Sequence, residues 1–292
     1  MVFLEFDFLR YALIIGLMLG VVAPAAGVFV VVRKTPMIAD AMSHTALTGI
    51  AFHLWLASFW VWLSEWNPLY TGILFTFIVS FIIEYLRRRF KTFQELSIPV
   101  VMASAIGLGV VFISLADGFN NDLFNFLFGS ILTVNVTDTM VIGIISAVSL
   151  LLFLLFYKEL LFLAFDEEQA DANGIPVQRV NLLFAGIVAV VVASSISILG
   201  VLLVSALITL PAAAALRVAS NFKSMFLYAI VFGEAAVLAG FFVSYYYDLS
   251  SGGTIAVISF AIWTIVVLAE KVAGRIRQRP WEAAKWTDKA NQ

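Results

Sequence analysis

Long apolar runs, each about as long as a bilayer is thick, dominate this chain and leave little room for any soluble fold. A spanning helix needs about 20 mainly apolar residues, and about nine such stretches occur, at 11–32, 38–62, 68–86, 97–115, 137–157, 178–197, 199–216, 225–247 and 254–272. With 62% hydrophobic and 12% charged residues, the chain carries too much apolar surface for water-soluble packing to hide, since ordinary soluble domains are about a quarter charged. The expected class is an all-α integral membrane protein, with residues 1–292 forming one transmembrane domain. A net charge of −2 offers no basic field to nucleic acid. The absence of cysteine leaves carboxylate, imidazole and hydroxyl groups for any chemistry.

The first stretch is expected to remain in the mature chain, because Glu5 and Asp7 stand where a signal peptide would carry positive charge. All 17 lysines and arginines except Arg10 fall in alternate loops and in the tail, whose basic residues run from Lys271 to Lys289 and which occupies 273–292 beyond the last stretch. The positive-inside rule therefore predicts an outer amino terminus and a cytoplasmic carboxyl terminus. The segment NDLFNFLFGSILT at 121–133 is apolar but too short to span, so a re-entrant piece at the outer face is expected there.

A charge near the bilayer centre costs at least ~2.5 kcal/mol, which makes each such residue a functional candidate. Asp40 and His44 lie in the second stretch. Four residues turn a helix by about 400°, so both side chains share one face a turn apart, as two ligands of one metal ion or a hydrogen-bonded pair would. Two donors are too few for a closed zinc site, which takes four, whereas a symmetric homodimer would bring two Asp and two His together. His53, nine residues beyond His44, falls on the opposite side and suits a structural or outer-vestibule role. Glu234 stands near the middle of the eighth stretch, where it could relay protons, bind a cation or remain protonated against a neighbouring helix.

The cytoplasmic loop at 159–177 contains FDEEQADANGIP, which reads as a short helix with a start and a stop. Asp166 can cap it, Glu167 and Glu168 suit the positive end of its dipole, Gly174 can adopt the closing left-handed conformation, and Pro176 bars continuation. So short a helix has little core of its own and is expected to dock on another protein. The chain holds no G-x-x-x-x-G-K-[ST] phosphate loop, no H-E-x-x-H pair and no G-x-S-x-G turn. It is therefore not expected to be an enzyme, and any pumping needs a partner ATPase or an ion gradient.

Four segments together carry a resemblance: RKTPMIADAMSHTALTG at 33–49, FLFGSIL at 126–132, FDEEQADANGIPV at 165–177 and GVLLVSALITLPAAAALR at 200–217. In order and spacing, from about residue 11 to 272, the chain resembles the metal-ion permeases of bacterial ATP-binding-cassette importers, which take up zinc, manganese or ferrous iron. The resemblance implies a fold like that of type II importer permeases, a homodimer with its pathway on the two-fold axis, and a multi-pass place in the bacterial plasma (inner) membrane. It implies metal coordination by Asp40 and His44, and ATPase contact through Glu167, Glu168, Ala170 and Gly174 beside the Asp166 cap. It further implies two cytoplasmic ATPase subunits, an extracellular metal-binding protein, and no permanently bound cofactor, the metal being cargo. Glu234 departs from the family pattern, where a small or uncharged residue is expected. Two carboxylates and two imidazoles suit zinc first and manganese second. The competing class is a proton-coupled secondary carrier built on Asp40, His44 and Glu234, for which inverted repeats would be the sign, and no such internal match is visible.

Overall fold

The computed structural model describes residues 7–90, 93–116, 121–129 and 136–272. Among these the chain is entirely helical. The helices are α1 (Asp7–Val32), α2 (Met37–Ala57), α3 (Pro68–Arg89), α4 (Ser97–Leu115), α5 (Asn121–Phe128), α6 (Val136–Leu155), α7 (Tyr157–Phe165), α8 (Glu167–Ala172), α9 (Val177–Leu199), α10 (Val204–Val218), α11 (Phe222–Tyr247) and α12 (Ser251–Val272). Seven of them, α1, α3, α4, α6, α9, α11 and α12, are long and apolar enough to cross a membrane. The other two expected spans are helical but fall outside that set. Helix α2 interrupts its apolar sequence with Asp40, Ser43, His44, Thr45, Thr48 and His53, and α10 has only 15 residues. The acidic amino-terminal residue Glu5 and the basic tail lie outside the described residues.

Burial sorts the bundle into posts and rim. The apolar windows of α1 and α9 are 72% and 78% buried, whereas those of α4, α6 and α12 are 28%, 28% and 17%. The rim exposes large apolar side chains such as Leu154, Val257 and Phe260, a surface that a bilayer rather than water covers. Small residues let the posts approach their neighbours. A Cβ on Gly27 would lie 1.8 Å from the Ile208 carbonyl oxygen, and one on Gly233 would lie 2.3 Å from Pro24 Cγ. These contacts set α1 directly against α10 and α11.

The short α5 ends at Gly129, whose φ of 76° is left-handed. Its last carbonyls find partners across the bundle: the Val201 amide donates to Phe126 O at 2.8 Å, and Ser250 Oγ donates to Phe128 O at 2.7 Å. Gly200, with a φ of 76°, ends α9 and lets the backbone pass close to Leu127. The expected span at 199–216 consequently starts later, at Val204, because 200–203 form the turn that receives α5.

Asn67 anchors α3. Its side chain accepts from the Leu69 amide at 3.0 Å and donates to Asp138 Oδ1 at 2.8 Å. Asp138, at the start of the stretch 137–157, is buried in the first turn of α6. Asn67→Ala removes both the cap and a donor to a buried carboxylate, and should destabilise the protein by about 2 kcal/mol in a thermal melt in detergent.

Candidate functional site

Helix α2 follows Pro36, whose φ of −61° already has the helical value. Between Ile38 and Ala51 every residue is buried except Asp40, His44 and Leu47. Those three recur at four- and three-residue steps, so they form one half-open stripe along an otherwise enclosed helix. The hydroxyl groups on α2 are satisfied. Ser43 Oγ donates to Ala39 O at 2.9 Å, Thr45 Oγ1 to Ala41 O at 2.7 Å, and Thr48 Oγ1 to Ala105 O of α4 at 2.7 Å. Thr48 fixes α4 beside the stripe, and Gly109 leaves it room, since a Cβ there would lie 3.1 Å from Thr48 Oγ1.

The structure separates the other two membrane candidates from this stripe. His53 is 2% exposed and its Nε2 lies 3.1 Å from Leu63 O, so it meets the short turn Val61–Glu65 beyond the helix end. Glu234 projects from α11 against α1: a Cβ on Gly20 would meet its Oε1 at 2.8 Å, and that oxygen is enclosed with no hydrogen-bond partner among the described residues. Among the described residues no group of three or more His, Asp or Glu side chains could hold a metal ion. The described residues therefore hold an acid and an imidazole on a half-open face, not a closed cage.

The loop expected at 159–177 contains α8, preceded by a helix, α7, that the sequence pattern does not predict. The YKELLFLAF segment hides α7 because Lys158 and Glu159 interrupt its apolar run. Asp166 accepts from the Gln169 amide at 2.8 Å and caps α8. At the other end Gly174 has a φ of 80°, its amide donates to Asp171 O at 3.0 Å, and the Ile175 amide donates to Ala170 O at 3.1 Å. These paired bonds close the helix in a Schellman motif. Ala170 is fully buried against the bundle while Glu167, Glu168 and Asp171 are exposed. The helix thus presents an acidic outer face on a fixed seat.

A helical bundle with apolar flanks, a half-open acid and imidazole stripe on an inner helix, and a capped helix seated at one end has the layout of a membrane permease. The chain matches the ABC 3 transport family over residues 5–270 and belongs to that family. It is 31% identical over 261 residues to the manganese import system permease protein ScaB of Streptococcus gordonii, covering 89% of this chain and 91% of that protein. It is 29% identical over 260 residues to the high-affinity zinc uptake system membrane protein ZnuB of Haemophilus influenzae, covering 89% and 97%. Among solved structures, PsaBC from Streptococcus pneumoniae in complex with Fab superposes with a TM-score of 0.78 at 31% identity, covering 90% of this chain and 92% of that one.

Proposed function

We propose that two copies of this chain form the membrane-spanning part of an ATP-driven importer for a divalent metal ion, which passes between the Asp40 and His44 side chains of both copies. The observation that carries this reading is the half-open stripe on α2. A carboxylate and an imidazole kept partly uncovered within an apolar bundle are costly unless something charged visits them. Two such pairs across a two-fold axis supply four donors, enough to replace the water of a divalent ion. Membership of the ABC 3 transport family supports the transport role, and the names of ScaB and ZnuB support a metal as cargo.

In this reading α2 and α10 are the eighth and ninth spans, the amino terminus is outside, and the carboxyl terminus is in the cytoplasm of a bacterium. A binding protein delivers the ion from outside, and two ATPase subunits dock on the α8 helices. The chain's own work is exchange of ligands: Asp40 neutralises charge, His44 adds a directional nitrogen donor, and movement of α2 loosens the cage towards the cytoplasm. Imidazole donors favour zinc over manganese in the usual affinity order, so zinc is the first cargo. Manganese is the second reading, because ScaB is named for its import.

Elemental analysis of the purified permease beside its His44→Ala variant tests the site. The native protein should retain about one zinc or manganese ion per two chains and the variant almost none. Equal metal in both would overturn the assignment.

A further inference from the structure

At the end of the bundle that carries α8, three polar side chains from distant parts of the sequence form one continuous line. Glu167 opens α8, Asn181 lies in the second turn of α9 and is 4% exposed, and Arg33 follows the last residue of α1. Asn181 Nδ2 donates to Glu167 Oε1 at 2.8 Å, and Arg33 Nη2 donates to Asn181 Oδ1. The guanidinium carbon sits 4.7 Å from the centre of the Phe184 ring, and Nη1 is enclosed with no hydrogen-bond partner among the described residues. Burial, reinforced by the charge of Arg87, lowers the Arg33 pKa to about 10, while Glu167 and Glu84 oppose the fall. It remains a cation at neutral pH, held where cations are expensive.

Arg33 is also the first residue of the link into α2. Lys34 is left-handed at a φ of 57°, the Thr35 amide donates to Val30 O at 3.0 Å, and the Ile38 amide donates to Thr35 O at 3.1 Å. With Pro36 in the same link, little slack separates Arg33 from Asp40. On the other side, α1 is anchored through Phe29, whose ring packs on Phe153, Phe184, Phe222 and Phe226 at centroid distances of 5.5, 6.1, 5.6 and 5.2 Å. Between that anchored ring and α2, the hydrogen-bonded link at 33–36 passes a displacement of Arg33 on to α2.

We propose that Glu167, Asn181 and Arg33 form the line through which movement of α8 reaches α2 and turns Asp40 and His44, making Arg33 and Asn181 positioning residues for transport. This rests on the transport reading above.

The test uses the full complex, with its own ATPase and binding protein, in liposomes, and zinc or manganese salt alone as the probe. Asn181→Asp keeps the shape and the partner of Arg33 but sets a carboxylate against Glu167, so the line breaks at one end only. The ATP hydrolysed per ion imported should rise about tenfold, the equivalent of one charge-assisted hydrogen bond, with metal bound per dimer unchanged. Combining Asn181→Asp with Glu167→Gln returns a donor to that contact and should bring the ratio back to within about twofold. An unchanged ratio in the single variant, no recovery in the double, or loss of bound metal and thermal stability in the single variant would each overturn the proposal. Failure of the underlying transport reading would show separately, as a native complex whose uptake is indifferent to Asp40 and His44.

Discussion

Asp40→Asn permease, reconstituted with its ATPase and binding protein, should import metal at least about a hundredfold more slowly than the native complex. The substitution changes almost no volume, so α2 keeps its packing and Asp40's half-open position. On the proposed reading, what disappears is the negative charge that would offset the ion's lost hydration, and it would disappear from both copies at once. Each loss of a charged contact is worth roughly 1.5–3 kcal/mol, so two together reach about two decades or more. ATP hydrolysis by the docked ATPases should persist, since α8 is seated by Ala170 and closed by its own hydrogen bonds. Uptake of radioactive zinc or manganese against ATP consumption reads the split. Near-native uptake would move the pathway away from α2.

Gly27→Ala should leave little folded protein. The added methyl carbon would stand 1.8 Å from the Ile208 carbonyl oxygen and 2.8 Å from its carbon, which are backbone atoms with no rotamer to escape into. Helices α1 and α10 would have to part, and α1 is one of the two posts on which the bundle is built. The cost should exceed about 4 kcal/mol, beyond the ordinary range for one substitution. Gly107→Ala is the matched control, because a Cβ there meets nothing within 4 Å and the helix gains propensity. Thermal melts in detergent should show the first variant collapsed and the second at or slightly above native stability.

The bilayer makes much of this fold readable, because its thickness imposes a length on every apolar run. The posts and rim appear in sequence as uniform stretches, however, since burial by protein and cover by lipid ask for the same side chains. The second stretch was expected to reach residue 62, but α2 stops at Ala57 and the Val61–Glu65 turn follows. Aromatic Phe59, Trp60 and Trp62 prolong the apolar signal past the helix end. Of the candidate residues, Asp40 and His44 were legible as a pair because a four-residue step fixes their common face. The openness of that face depends on α4 and the other neighbours, which no local pattern encodes. Asp166 and Gly174 could be read because caps are local chemistry. The Arg33–Asn181 contact could not, because the two residues are separated by 148 positions and each alone resembles an ordinary helix-end polar group.

The closure of α8 at both ends has a consequence for how such a permease can change partners. The Gln169 and Ala170 amides of α8 are met by Asp166 in front, and the Ala170 and Asp171 carbonyls by the Gly174 reversal behind. Helix α8 is thus closed at both ends by local bonds. Its outward acidic residues, Glu168 and Asp171, are thus free to drift with the surface of whatever motor they engage, while the membrane-embedded machinery behind them stays as it is.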